Sequence, residues 1–486
     1  MIKKILKYSL FIVILLIVFL IVKTLLYPSN QIGVEQVTLK EVPGTSIDNL
    51  CKAIQFRTIS HEDESFNDTA IFKSFHQFLA EAYPLVHSKM KREVFHHSAL
   101  LYTLLGSNEN LKPLVLLAHQ DVVPVVMDDW NEGPFSGKVV NETIWGRGTL
   151  DDKGSLIAIM EAVELLLNEG IIPERTLYLA FGDDEEVGGK GAQELASELF
   201  KRGVRAELVL DEGMVITKGI VPMIEQPVAT IGTSEKGYLS VELNCNVEGG
   251  HSSMPNSETA ISILSNAIVK ITKNRPSATF TQPVKDFMSY IGPEIPWPAR
   301  IVFANSWLFG GVLKGIYTSS GPGNATVRTT TAPTMVSGGI KDNVLPTSAK
   351  ATVNFRLLPN ISISQLIGNL ENTINDQRVT ITALEGAREP APVSSIETQA
   401  FEIIQKTIGQ AFEETLVSPT LMLGSSDSRF YSQVSENIYR FAPYQLEKED
   451  LATIHGANEK ISINNFKAMI GFYYLLIKNL QASEQN

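Results

Sequence analysis

Three short apolar runs, residues 114–118, 176–181 and 208–210, constrain this chain more than any other feature. Each has the length of a strand and is too short for a helix. None alternates cleanly with polar residues, so each reads as a strand covered on both faces. Between the first two, residues 155–167 carry apolar side chains at helical spacing and stop at Glu169-Gly170, a C-terminal capping pair. Strand, helix and strand in alternation dictate a mostly parallel sheet with helices on both faces, an α/β domain.

The pattern changes near Lys236. Residues 238–247 and 349–357 alternate apolar and polar, as half-exposed strands do, around a helix expected over 258–272. Residues 281–320, rich in Pro, Trp and Phe, follow neither period and read as irregular, with a strand expected over 325–332. The segment 236–356 therefore reads as an inserted α+β domain. It divides the α/β domain into a first part, 46–235, and a second part, 357–486, with a helix near 397–412, a strand near 416–423 and a last helix near 465–480. At roughly 100–200 residues per domain, the chain has room for this arrangement.

The amino terminus is of another kind. Lys3, Lys4 and Lys7 precede an uncharged run, 8–22, which Lys23 closes. Counted from Ile5 to Tyr27 the stretch reaches the ~20 residues a bilayer requires, and the lysines at its ends can snorkel to the interfaces. A cleaved signal peptide would want a small-x-small site, and Lys-Thr-Leu-Leu-Tyr-Pro offers none. Residues 1–27 are thus expected to form an uncleaved, single-pass signal anchor, followed by a polar linker over 28–45. The lysine excess ahead of the run places the short tail in the cytoplasm and the bulk of the chain on the non-cytoplasmic side of the membrane.

Charge narrows the function. Asp and Glu number 53 against 41 Lys and Arg, a net charge of −12, the opposite of a protein that grips phosphate backbones. Nucleic acid is not an expected partner. Two cysteines, Cys51 and Cys245, are too few for a cysteine-rich zinc finger, an iron–sulfur cage or a disulfide framework.

What the chain places after its strands is more telling. Residues 114–118 deliver His119-Gln120-Asp121, 176–181 deliver Asp183-Asp184-Glu185-Glu186, and 208–210 deliver Asp211-Glu212. Asp151-Asp152 follows the turn Gly146-Arg147-Gly148 and precedes a helix, which these residues would otherwise simply cap. Ligands of open α/β sheets bind beyond the carboxyl ends of the strands, so these groups should converge. Converging carboxylates repel and are costly to desolvate. A divalent metal resolves both problems, and mixed His and Asp/Glu ligands suit zinc, with manganese or cobalt as alternatives.

Eight segments in order, LLAHQDVVPV (116–125), GRGTLDDKGS (146–155), FGDDEEVGG (181–189), VLDEG (209–213), GGHSSMP (249–255), NFRLLP (354–359), SSDSRFY (425–431) and IHGANEK (454–460), resemble the two-zinc aminoacylase/carboxypeptidase metallopeptidases. The stretch FANSWLFG (303–310) is similar to the branch that holds carboxypeptidase S and the N-fatty-acyl-amino-acid synthase/hydrolases. The resemblance implies a mostly parallel-sheet di-zinc catalytic domain with an inserted lid or dimerisation domain. It implies that Asp151 bridges two Zn²⁺, with His119 and Asp211 completing one site and Glu186 and His455 the other. Glu185 is then the general base, and Asp121 the acid that orients the imidazole of His119. His251, in the insert, is implied to stabilise the oxyanion, often from a partner subunit, with Asn343 assisting. Arg356 and Arg429 are implied to hold a substrate carboxylate. His61, His76, His87, His96 and His97 match no motif and read as surface or packing residues.

The implied activity is hydrolysis of an amide whose amine side is an amino acid with a free carboxylate, in an N-acyl amino acid or a C-terminal dipeptide. The implied partners are a small-molecule or peptide substrate, the membrane through the N-terminal helix and, because inserts of this family often pair, a second copy in a homodimer. Phe287, Trp297, Phe303, Trp307, Leu308 and Phe309 stand as lining for an acyl channel, or else as core of the insert or a subunit contact.

Overall fold

The computed structural model describes residues 2–482. The chain divides into two units by internal contact. One comprises 27–233, 286–300 and 394–486, and the other 1–26, 234–285 and 301–393.

The first unit is built on a ten-stranded sheet. Its centre is parallel: Leu177–Gly182, Leu114–His119, Leu208–Asp211 and Ile438–Arg440 lie side by side in that order. These are the buried apolar runs, and every residue of Leu114–His119 and Leu208–Asp211 is buried. At the sheet edge two strands, Lys91–Phe95 and Ala99–Leu104, pair antiparallel. His96, at a φ of 48°, makes the turn between them. The helix Lys153–Asn168 crosses one face and buries nearly its whole circumference, because the helices Gly44–Gln55 and Ile463–Ala482 pack beside it. Residues 28–45 are not a free linker. Gln31 exchanges two hydrogen bonds with the backbone of Val417, while Val34 and Leu39 rest on Gly409 and Gly471.

A small antiparallel sheet does more to build the site. Lys460–Ser462 pairs with Thr143–Trp145, which pairs with Lys138–Val140. This pairing draws the segment 454–459 alongside 146–151, across roughly 310 positions of sequence.

The other unit holds a four-stranded antiparallel sheet in the order Thr330–Gly338, Ser348–Leu357, Gly237–Asn246, Val379–Ala383. The helices Ala260–Lys273 and Ile363–Ile374 cover one face around Leu243, Val353 and Phe355. Because Val379–Ala383 pairs with Gly237–Asn246, this unit runs on to Val393. Residues 281–320 are helical, not irregular, as Gln282–Ile291, Arg300–Ala304 and Ser306–Thr318. Prolines 283, 293, 296 and 298 cut the helical period into pieces, and three glycines weaken the longest one. The strand expected over 325–332 starts later, at Thr330. A helix, Gly321–Val327, takes its first part, with Ser320 Oγ accepting the Gly323 amide as its cap.

The N-terminal helix Ile2–Leu25 belongs to this unit and is long and apolar enough to cross a membrane. Of its side chains only Thr24 is buried.

Candidate metal centre

The parallel register sets the first contacts. His119 pairs with Gly182 on the neighbouring strand, so Asp183–Glu186 emerge beside it. Asp121 then ties the two strand ends together. Its Oδ1 faces His119 Nδ1 at 3.2 Å and accepts the Glu185 amide at 3.1 Å. Its Oδ2 accepts the Glu186 amide at 3.1 Å and the Ser60 hydroxyl at 2.6 Å. With Nδ1 held by a carboxylate, the other nitrogen of His119 is presented outward.

That nitrogen meets Asp151. His119 Nε2 lies 2.8 Å from Asp151 Oδ1, and His455 Nε2 lies 2.9 Å from Asp151 Oδ2. One carboxylate thus faces an imidazole with each oxygen. His455 Nε2 is also 3.2 Å from Glu186 Oε2. Ligand atoms of His119, Asp151 and Glu186 fall within 4.8 Å of one another. His455 reaches them from a left-handed backbone, φ 59°, uncommon for a residue with a side chain. Asp211 ends the next strand over. Its Oδ2 accepts the Ser428 amide at 2.6 Å. Burial raises the pKa of Asp152 well above the ordinary carboxylate value, and the charge of Asp211 adds a small push.

The electrostatics fit a cation. Hydrogen bonds that His455 donates to Asp151 and then to Glu186 hold its imidazole pKa up to about 10. Burial alone would push His119 down, yet Asp121 and Asp151 keep it well above its ordinary value. Burial raises Glu186 and Asp211. Glu186 Oε1 is buried with no hydrogen-bond partner among the described residues, as is Asp152 Oδ1. Too many carboxylates for the protons available, orphaned oxygens and two imidazoles aimed at one carboxylate form a donor set that divalent cations satisfy.

Glu185 stands beside this group, its carboxyl pushed up to about 7 by burial. It lines a cavity of about 240 Å³ with Asp151, Glu212, Tyr444 and His455. Arg429 Nη1 donates to Glu185 Oε1 at 3.1 Å and to the Ser426 carbonyl, and Nη2 donates to the Gly188 carbonyl. The guanidinium expected to grasp a substrate carboxylate is therefore engaged by the protein beside the base. Asp427 lies nearby, buried, with Gly189 against it: at φ 72° a Cβ there would meet Asp427 Oδ1 at 2.3 Å.

His251, Asn343 and Arg356 belong to the other unit. Gly250–His251 pairs with Val344–Leu345, so the loop of Asn343 lies against that of His251, and the Ser252 amide donates to the Asn343 carbonyl at 3.3 Å. His251 is exposed, and its Nδ1 accepts the Ser253 amide at 3.1 Å, which leaves Nε2 to carry the proton of the neutral ring. Arg356, on Ser348–Leu357, stacks 4.8 Å above the ring of Tyr238, its cross-strand partner. Of the five unmatched histidines, His76 is buried against Gln120 at 2.7 Å, and His96 lies 3.3 Å from Asp183. His97 faces Glu64 at 3.1 Å.

Glu459 was not singled out from the sequence, although it sits in the IHGANEK segment. Fully buried, it pairs with Arg147 and accepts the amides of Gly148, Leu150 and Asp151. A glutamate four residues after a site histidine, within one motif, was the available signal.

The chain is 40% identical over 438 residues to the probable carboxypeptidase S-like 2 of Dictyostelium discoideum, covering 89% of this chain and 84% of that protein. It is 40% identical over 438 residues to the N-fatty-acyl-amino acid synthase/hydrolase PM20D1 of Xenopus tropicalis, with 89% and 85% covered. Carboxypeptidase S of Saccharomyces cerevisiae is 31% identical over 494 residues, with 90% and 84% covered. A metallo-carboxypeptidase from Sulfolobus solfataricus has the same fold, at a TM-score of 0.66 and 18% identity over 90% of this chain and 100% of that one. Residues 115–479 match the model of the peptidase family M20/M25/M40, and the chain belongs to that family of hydrolases.

Proposed function

We propose that this protein is a membrane-anchored hydrolase of amide bonds whose amine side is an amino acid with a free carboxylate, in N-acyl amino acids or C-terminal dipeptides. The observation that carries the reading is Asp151, whose two oxygens face His119 and His455 with Glu185 alongside. The names of the relatives, which act on acyl amino acids or are carboxypeptidases, support the substrate class.

His119, Asp151 and Asp211 would hold one divalent cation and Asp151, Glu186 and His455 a second, zinc being the best match to the donors. When bound, such ions polarise the scissile carbonyl and acidify water. Glu185 accepts a proton from the attacking water and returns it to the departing amide nitrogen, a role for which a carboxyl near neutrality is suited. Arg429 fixes the Glu185 carboxylate and tempers its charge. Asp121 orients His119 and, through two amides, the turn that carries Glu185 and Glu186. His251 donates from Nε2 to the oxygen that gains charge, with Asn343 beside it on the facing loop. Arg356 receives the substrate carboxylate. The segment 236–356 acts as lid, and its exposed edge strand Thr330–Gly338, with Met335 and Val336 outward, offers a face for a homodimer.

The helix Ile2–Leu25 anchors the chain, with the catalytic part on the non-cytoplasmic side. Fatty-acyl substrates are the favoured class within this reading. The test is a panel of amino acids graded in acyl length and head group, together with dipeptides and phosphate esters, incubated with zinc-loaded protein and read by mass spectrometry. Turnover of the phosphate esters alone, or of nothing, would overturn the reading.

A further inference from the structure

Three of the residues singled out as an acyl-channel lining, Trp297, Trp307 and Leu308, face outward instead. The helix Ser306–Thr318 gathers two of them into a larger surface. Trp307, Gly311 and Gly315 form one row along it, and Leu308, Val312 and Ile316 form the adjacent row, at four-residue spacing. Trp307 is 56% exposed, Leu308 45%, Val312 53% and Ile316 56%. On the opposite side Leu313 is fully buried. Lys314, at the edge of the apolar side, is the only charged residue of the helix. An apolar helix face this wide, left open to water, calls for a partner.

Its neighbour indicates which one. Asn305, just ahead of this helix, donates from Nδ2 to the Leu20 carbonyl and to Thr24 Oγ1, both at 3.2 Å. Thr24 Oγ1 in turn donates to the Leu20 carbonyl at 2.7 Å. These are the last turns of the N-terminal apolar helix. Trp307 stands edge-on to Phe19, with ring centroids 6.3 Å apart, and Lys23 Nζ lies 5.9 Å from the Trp307 ring. Lys23 closes the uncharged run, where a lysine reaches the headgroups. A tryptophan at that level occupies the membrane interface, the position such rings favour.

Charge permits this placement. Between Glu294 and Asp342 the sequence contains Arg300, Lys314, Arg328 and Lys341 and no acidic residue, in a chain of net charge −12. With four cations and no carboxylate, this stretch is not repelled by anionic headgroups, on whichever leaflet they lie.

We propose that the helix Ser306–Thr318 lies in the headgroup–acyl boundary of the leaflet from which the N-terminal helix emerges, with Trp307, Leu308, Val312 and Ile316 immersed in lipid. The chain then holds the membrane by a span and by a second helix lying in the surface, which fixes the orientation of this unit on the bilayer. The proposal rests on the reading of Ile2–Leu25 as a membrane span.

The test uses the full chain in nanodiscs of mixed phosphatidylcholine and phosphatidylglycerol, with lipids brominated on the acyl chains as contact quenchers of tryptophan. The wild type minus Trp307→Phe isolates the emission of that ring. An Ile316→Trp reporter in the Trp307→Phe background probes the far end of the helix, and a Leu10→Trp reporter probes the span. Immersion predicts at least about a twofold loss of the reporter emission at all three positions relative to unbrominated lipid. Quenching at position 10 with none at 307 and 316 would overturn the surface helix and leave the anchor standing. Absence of quenching at all three would overturn both.

Discussion

The Glu459 carboxylate accepts the backbone amide of Asp151 at 3.2 Å, and so ties the residue that faces both site imidazoles to the segment that carries one of them. The same oxygen accepts Leu150 and Gly148, while the other pairs with buried Arg147. Glu459→Gln should therefore loosen metal binding by about 10–100-fold, as the loss of groups that position ligands does. It should also lower stability of the metal-free chain by about 2–4 kcal/mol, because Arg147 keeps its buried charge. Chelator competition and denaturant unfolding measure the two. Affinity unchanged within about twofold would show that Asp151 is placed without Glu459.

Glu185→Gln should lower kcat by at least ~10² while two equivalents of metal per chain stay bound, since the change removes a proton acceptor and no proposed ligand. Metal analysis beside steady-state kinetics reads this out. Turnover close to the wild-type rate would reject the base assignment.

His251→Ala should depress kcat by ~10²–10³ with little change in KM, the signature of a donor that acts on developing charge. The residue is exposed at a strand end and contributes nothing to a core, so the fold should survive. An unchanged kcat would remove it from the reaction.

Arg356→Ala should raise KM for substrates with a free carboxylate far more than for their amidated counterparts. The variant also loses the stacking on Tyr238, worth about 0.5–1 kcal/mol, which lowers stability equally in every assay. Equal losses on both substrate sets would reject carboxylate recognition.

Lys236 offers a prediction for pH. Its Nζ is buried and donates to the carbonyls of Ala325 and Arg328 at 2.8 Å, and burial pulls its pKa down to about 7. The unfolded chain keeps that proton up to about pH 10.4, so between these values unfolding takes up a proton and stability rises with pH. Lys236→Met should flatten the stability profile between about pH 7 and 9, by up to about 1.4 kcal/mol per pH unit relative to wild type. Parallel profiles from urea unfolding across that range would show that Lys236 does not titrate there.

The sequence by itself determined the parallel core and the apolar N-terminal helix, and it singled out His119, Asp151, Glu186 and His455, whose side chains meet in the structure. Continuous apolar runs such as 114–118 and 208–210, and the helix beginning near 155, announce themselves through short-range periodicity. Prolines and glycines masked the helices of 281–320, whose period is broken before it can repeat. Which oxygen faces which imidazole depended on two long-range pairings, His119 with Gly182 in the parallel sheet and Lys460 with Trp145 in the small one. Only the folded chain assigned Arg429 to Glu185, gave Glu459 its three amides, and set the open face of Ser306–Thr318 beside the last turns of the N-terminal helix. The reason is physical: periodicity records which side of an element is apolar, whereas the partner of a buried charge is chosen by segments hundreds of positions apart coming into register.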